Sequence, residues 1–347
     1  MSVPDPAPAR KPSRLGLYLP FVLLLILIVA WSALWVWARN QAQVRMDAAV
    51  ADLTRAGYQV SWRDRQIGGY PFRMDVTLTD AVVRAPSGWA LEAPTLEGEA
   101  YMHALGHWIL AAPNGAAFVR PKAGPVRVTG KAIRAAVFDF SHRPPSFDFE
   151  GDGLVFQPEA GAQPFALTGA DKVEFHLRAG PDDQGGVFLS VDKGKARPAG
   201  LLGRIAGDKP ISIVWNSTLS KMSAFTGANW AAAVRHWSDA GGQMSVRQAG
   251  LTAGPALIGA NSGTLTVGTD GRLRGSLPVT LRQAPQALAA MGQTGAISQQ
   301  AASAAATVAE ARQGSGQQAQ ATIYFQAGRT TLGPVSLGPA PTVYDVR

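Results

Sequence analysis

Residues 18–37, YLPFVLLLILIVAWSALWVW, run for twenty positions without a charge. At about 1.5 Å per residue a helix of that length matches the ~30 Å hydrocarbon core of a bilayer. The run is apolar on all sides, which suits lipid better than the one-sided stripe of a helix on a soluble domain. Residues 40–56 continue as a helix leaving the membrane, and Gly57 stands where helix C-termini favour glycine. Beyond Gly57 the hydrophobic period changes to two. In residues 73–80, Met74, Val76 and Leu78 take one face while Arg73, Asp75, Thr77 and Thr79 take the other. Residues 172–178 repeat the pattern, with Val173, Phe175 and Leu177 set against Lys172, Glu174, His176 and Arg178. Val126 with Val128, Ile211 with Ile213 and Trp215, and Leu265 with Val267 follow suit. So do Leu277 with Val279 and Leu281, and Ile323 with Phe325. Clean alternation predicts antiparallel strands with one buried and one wet face. A doubly wound α/β enzyme fold would instead show continuous apolar strands alternating with helices.

Turn chemistry supports hairpins. Thr269-Asp270-Gly271-Arg272 places an Asp-Gly pair between two alternating segments, a strong short-range hairpin signal. Asp182-Asp183-Gln184-Gly185-Gly186 reads as a longer loop between strands. Two segments break the strand pattern. Residues 229–240 put Trp230, Val234 and Trp237 on one helical face. Residues 285–312, rich in Ala and Gln, predict a helical hairpin interrupted by Gly292 and Gly295 and ended by Gly314-Ser315-Gly316. The expected architecture is mainly β: an N-terminal transmembrane helix, then a large antiparallel β-rich periplasmic body with two helical insertions. The expected boundaries are a disordered cytoplasmic tail at 1–14, an anchor at 15–38 and a helical connector at 39–57. The body takes 58–347 as one or two subdomains.

Orientation follows from charge. Arg10, Lys11 and Arg14 precede the apolar run, and Trp31, Trp35 and Trp37 crowd its far end. Basic residues before a span hold that side in the cytoplasm, and tryptophan favours the interface. A cleaved signal peptide would have an apolar region of about 7–15 residues and a small-x-small site. This run is longer, and Trp35, Trp37 and Arg39 occupy the place of that site, so retention as an anchor is expected. The net charge is +8, of which residues 1–47 hold +3, leaving +5 on the remaining three hundred. That excess is scattered singly along strands and forms no nucleic-acid footprint. The chain has no cysteine, which excludes disulfide frameworks, thiolate metal sites and thiol nucleophiles.

Candidate chemistry is weak throughout. His103 and His107 have the spacing of two helical metal ligands, but His103-Ala104-Leu105-Gly106-His107 lacks the glutamate of a zinc-protease motif. It also adjoins a strand-like segment, where that spacing would not converge. Ser190-Val191-Asp192-Lys193 matches Ser-x-x-Lys, yet the serine ends a strand where such sites begin a helix. Gly130-Lys131-Ala132 has alanine where a phosphate loop needs Ser or Thr. The glycines between 194 and 207 fit no dinucleotide fingerprint, and Asp182 and Asp183 read as solvated loop carboxylates. No catalytic residue, metal ligand or cofactor is expected.

The segment Gly68-Gly69-Tyr70-Pro71-Phe72-Arg73, preceded by Val60-Ser61-Trp62, is distinctive. Trp89-Ala90-Leu91-Glu92-Ala93-Pro94, Gly106-His107-Trp108-Ile109, Leu332-Gly333-Pro334 and Gly338-Pro339-Ala340-Pro341 follow in order. Together these resemble the bacterial family called domain of unknown function 2125, over about residues 39–347. His103-Ala104-Leu105 departs from it, standing where many members have a proline ahead of the His-Trp-Ile segment. The resemblance implies an N-terminal anchor and an exported β-rich body, with no assigned activity. Residues 263–277 are also similar to the strand–turn–strand unit of AsmA-like proteins, which are anchored, β-rich and implicated in moving lipids between bacterial membranes. A well-formed hairpin of any kind would look the same.

These readings predict a single-pass inner-membrane protein with a cytoplasmic N-terminus and a periplasmic body. The expected function is non-enzymatic: binding or passing an acyl-chain lipid, or maintaining the envelope, on an apolar groove lined by Phe72, Phe175 and Leu177. Against this, Tyr70-Pro71-Phe72 also reads as a packed turn starting a strand. The alternatives are an envelope scaffold binding other proteins through sheet edges, and an enzyme on an envelope polymer. The expected partners are the inner membrane and a lipid or envelope protein, with no nucleic acid. Alkaline phosphatase fused after Arg347 should be active in cells, and the mature N-terminus should precede residue 18. An inactive fusion overturns the orientation, and a mature N-terminus near Gln41 overturns the anchor.

Overall fold

The computed structural model describes residues 15–142, 144–254, 256–311 and 318–345. The expected tail at 1–14, Gly314-Ser315-Gly316 and the C-terminal Arg347 lie outside them. Helix α1 (Leu15–Arg55) runs unbroken for 41 residues, so the expected anchor and connector are one element. It is long and apolar enough to cross a membrane. Its end is closed by two backbone bonds, Gly57 N–H to Thr54 O and Tyr58 N–H to Leu53 O, each 2.9 Å. This motif needs a left-handed residue after the cap, and Gly57 has φ +87°.

The chain then builds one antiparallel sheet. It opens with β1 (Gln59–Ser61), β2 (Asp64–Gly68), β3 (Arg73–Arg84) and β4 (Ala90–Tyr101). Short strands follow: β5 (His107–Ala111), β6 (Ala116–Arg120), β7 (Gly124–Thr129) and β8 (Ala132–Phe138). The long central strands are β9 (Ser146–Pro158), β10 (Leu167–Ala179), β11 (Gln184–Ala196), β12 (Ile211–Ser220) and β13 (Met244–Ala253). The sheet closes with β14 (Ala256–Ala260), β15 (Thr264–Val267), β16 (Leu273–Arg282), β17 (Gln318–Gln326), β18 (Arg329–Leu332) and β19 (Val335–Pro339). From β8 to β14 the order is a meander, each strand pairing with its neighbour in sequence, and β14 and β15 then share the place between β13 and β16, each pairing with both. Where strands are short, two share one flank: β5 and β6 both pair with β4, and β7 and β8 both pair with β9.

Register carries the alternation across the sheet. Paired positions run Ile67, Val76, Gly98, Leu110, Ala135 and Phe149 from β2 to β9. The same row continues through Phe175, Leu189, Trp215, Ala249 and Ala260 to β14. A parallel row joins Trp108, Val137, Phe147, Leu177 and Val187. Because paired residues share a face, one side of the sheet is apolar over eleven strands. The expected strands are present with the expected faces, and Met74 and Ile211 are completely buried.

Helices cover this apolar face in patches. α2 (Leu201–Ala206) packs on Leu167, Val191 and Ile211. α3 (Trp230–Asp239), N-capped by the Asn229 side chain, brings Val234 and Trp237 onto Leu219 and Val267. α4 (Ala284–Gln293) and α5 (Gln299–Ala311) lie on β13–β17 through Leu288, Ala302 and Ala305. At the other end, Asp47 of α1 pairs with Arg65 at 2.7 Å. Arg65 stands opposite Leu78, on the face of Met74 and Val76, so α1 lies over the first strands.

Three expectations need correction. Besides the two expected insertions, the described residues include α2 and a short 3-10 turn at Met222–Ala224. Only six residues long and interrupted by Gly203, α2 has no helical period to read. The loop expected at 182–186 is a tighter turn at residues 180–183, and Gly185 and Gly186 belong to β11. A Cβ at Gly185 would lie 2.8 Å from Met222 Sδ, so this glycine serves packing. Gly292 lies inside α4, and the break follows it, with Gly295 at φ +70°.

The face assignment predicts unequal costs. Met74→Asp should destabilise the full chain by more than about 3 kcal/mol, since it buries an unpaired charge. Thr77→Gln, on the wet face, should change stability by no more than about 0.5 kcal/mol. Equal shifts in denaturant midpoint in detergent would overturn the assignment.

Candidate functional site

The apolar face is covered at both ends and open between them. The three clusters of buried residues draw on β9 and later elements, and α1 covers β2 and β3. Between them Leu110, Ala135 and Phe149 are only half-buried, as are Phe175 and Leu189 further along the row. Large apolar side chains left partly wet in one continuous strip are what a ligand-accepting surface requires.

The strip leads under α3 into a cavity of about 250 Å³, and no polar atom reaches its surface. Its walls include Phe175, Leu177, Val187, Leu219, Met222 and Trp237. The sequence builds it from the apolar faces of β10–β13, β15 and β16, the 3-10 turn at Met222–Ala224 and the amphipathic helix α3. α3 is held over the sheet by Trp237 Nε1–H donating to Ser220 O at 2.6 Å. Trp230 Nε1–H donates to Val343 O at 2.8 Å, tying the helix to the C-terminal segment. Trp230 and Val343 also line a second, mixed cleft of about 610 Å³ with Tyr58, Trp89 and Arg235. The first long hairpin therefore comes round beside α3, and the sheet is strongly curved.

Two of the three expected groove residues, Phe175 and Leu177, meet in this cavity. Phe72 does not. It is 68% exposed, in the β2–β3 turn against α1. There Trp31 Nε1–H donates to Pro71 O at 2.8 Å and Trp35 Nε1–H to Arg73 O at 2.9 Å. The Tyr70 hydroxyl is 2.9 Å from Ser32 Oγ, and its ring packs edge-on against Trp35 with centroids 5.5 Å apart. Gly69, at φ +93°, makes the turn, and a Cβ there would lie 2.8 Å from Arg73 O. The turn is thus bonded to α1 and leads into β3, with the Phe72 ring outside. The contributions of Met222, Trp237 and Val343 to the cavity had no sequence signal beyond the α3 stripe.

The weaker motifs disperse. His103 lies in a turn stacked on Tyr101, and His107 begins β5 stacked on Phe138. Ser190 lies within β11 and donates to Glu174 Oε2 at 3.1 Å. Among the described residues no group of three His, Cys, Asp or Glu could hold a metal ion.

The opposite face of the same strands carries ions. Lys172 Nζ lies 2.7 Å from Glu174 and 3.1 Å from Glu150, and Asp148 meets His176 at 2.8 Å and also Arg178. The Lys172 ammonium is pushed above its usual range by its hydrogen bonds to Glu174 and Glu150. The Glu174 carboxyl is held below the usual carboxylate range, chiefly by Lys172 and partly against burial. These contacts belong to a solvated ladder, and none points into the cavity side of β10.

An anchoring-length helix joined to a β-rich body with this two-faced sheet defines the class of protein. The chain belongs to the family described as "Uncharacterized protein conserved in bacteria (DUF2125)", whose family model matches residues 35–341. No curated protein and no solved structure matches it.

The ion ladder predicts a pH response. A carboxyl with a lowered folded pKa stabilises the fold above its unfolded pKa, and that stability is lost as pH falls through the folded value. Lys172→Met should raise the Glu174 pKa, seen by carboxyl NMR titration, and shrink the stability lost on acidification. An unmoved Glu174 titration would remove Lys172 as the cause.

Proposed function

We propose that this is a single-span inner-membrane protein whose periplasmic β body binds or passes an acyl-chain lipid on its apolar face, without covalent chemistry. One observation carries the reading: the half-buried strip Leu110, Ala135, Phe149, Phe175 and Leu189, joining the α1-covered strands to the apolar cavity under α3. A methylene chain asks for continuous apolar contact and no hydrogen-bond partners, at roughly 0.8 kcal/mol per buried CH₂. The strip and cavity offer that. The cavity is smaller than the ~300–1,000 Å³ of ordinary ligand pockets, which fits the end of one chain with the remainder along the strip. The length and composition of α1 support the span, and Arg10, Lys11 and Arg14 support the orientation.

A specific observation also favours the scaffold reading. Trp89 stacks on Phe118 with centroids 5.0 Å apart, and Val83, Leu91 and Phe118 form one exposed cross-strand row. Such a patch at the far end of the β3–β4 hairpin suits a protein partner.

Full-length chain purified in mild detergent should retain lipid that organic extraction and mass spectrometry identify. Phe175→Asn and Leu177→Asn should each lower the lipid retained per chain, while Thr77→Gln should leave it unchanged. Equal lipid in all four proteins overturns the groove. A stoichiometric protein partner lost on Trp89→Ser would put the scaffold ahead.

A further inference from the structure

The apolar run of α1 and the turn at residues 70–72 are bonded to each other, and this fixes how deep the turn sits. Trp31 and Trp35, which donate to Pro71 O and Arg73 O, lie inside the apolar run of residues 18–37. At about 1.5 Å per residue they stand roughly 9 and 3 Å within its far end. A span stopping short of Trp31 would leave the uncharged residues 15–30, only about 24 Å against a ~30 Å core. The indoles therefore lie at or below the bilayer interface, and the turn they hold lies with them.

We infer that the Tyr70-Pro71-Phe72 turn is a second membrane-inserted element, which seats the edge of the β body in the outer leaflet of the bilayer that α1 spans. The inference rests on the reading of α1 as a span. The side chains left outside at this edge fit that partner. Phe72 is 68% and Tyr70 53% exposed. The adjacent β4–β5 turn, bonded to it through Met102 N–H to Phe72 O at 3.0 Å, exposes Tyr101 and Leu105. Phe140 is exposed at the β8–β9 turn on the same side of the sheet. The next turn along this edge, at residues 180–183, carries Asp182 and Asp183 instead, so the apolar rim is confined to the strands nearest α1.

Aromatic rings with one polar end favour the level of the lipid headgroups, and Phe goes deeper. Arg73 follows the turn, paired with Glu99 at 3.0 Å, and its stem and head can reach from the acyl boundary to the headgroups. With this edge in the leaflet, the apolar strip begins at lipid and has no aqueous gap to cross.

The chain has no cysteine, so single labels are clean. Phe72→Cys, Ser87→Cys at the far end of the β3–β4 hairpin, and Leu27→Cys in the span should each be labelled with an environment-sensitive fluorophore. The full chain is placed in phosphatidylethanolamine–phosphatidylglycerol vesicles with or without nitroxide-labelled lipid. Leu27 and Phe72 should be quenched and blue-shifted, and Ser87 should be neither. Leu105→Cys, on the neighbouring turn, answers the same question if the Phe72 variant does not fold. Quenching at Leu27 with none at the turn overturns the inference and leaves the span standing. No quenching at Leu27 overturns the span, and the inference with it. Equal quenching at Ser87 also overturns the inference, because the body would then adsorb without a fixed edge.

Discussion

The structure depends on an antiparallel register that keeps one face apolar from strand to strand. Side chains alternate with a period of two, so a slip of one residue at any hairpin would send every later apolar residue to the wet face. From β8 to β13 each strand is paired with its sequence neighbour, and no independent crossover would correct such an error. Three irregularities do occur in this stretch, between Leu167 and Gly169, between Val191 and Gly194 and between Asn216 and Ser217. None changes the outcome at the cavity: Val187 pairs with Ser217, and Ser217 stays buried and accepts a bond from Trp215 Nε1 at 2.9 Å. The bulges bend the sheet without turning its apolar side outward.

Given that face, the helices follow. A strip of Val, Leu, Ile and Phe exposed over so many strands would be an aggregation hazard, and α1, α2, α3 and the α4–α5 hairpin each cover a part of it. The cover is incomplete in one stretch, around Leu110, Ala135 and Phe149. On the opposite side Lys172 interleaves Glu150 and Glu174, an arrangement of charges that suits water and discourages pairing with another sheet. The two faces thus have different solvents, and only one of them is apolar enough to hold a ligand tail.

Period and turn chemistry made much of this legible. Residues 73–79 and 172–178 announce their strands because polar and apolar side chains alternate without exception there. Trp230, Val234 and Trp237 announce α3 by their stripe, and the structure adds the Asn229 side chain as its cap. Phe175 and Leu177 were legible as lining because they stay on the apolar parity of a regular strand. Phe72 was not, and the reason is instructive. Counting back by two from Met74 puts Phe72 on the buried parity, but parity holds only while the backbone stays extended. It is lost in the turn made by Gly69, and the ring leaves the face. The bonds from Trp31 and Trp35 join positions about forty residues apart, and no local pattern reports them. Val343 in the cavity wall is a similar case, placed by a bond from Trp230.

The junction with α1 bears on what the apolar face can do. A span and a domain are often joined by a flexible linker, whose length sets how freely the domain wanders. Here the helix continues past the apolar run to Arg55, lies on the first strands through Asp47 and Arg65, and donates two indole hydrogens to strand-start carbonyls. Each of those bonds becomes stronger as water is excluded around it, so insertion of α1 would tighten the joint. A body held in this way cannot rotate to present another edge, and the height and direction of its apolar strip are set by the helix. For a protein proposed to accept acyl chains that matters more than the depth of the cavity. A methylene chain leaving a bilayer for water loses its hydrophobic stabilisation at every exposed carbon, whereas one passing directly from lipid to a fixed apolar strip does not.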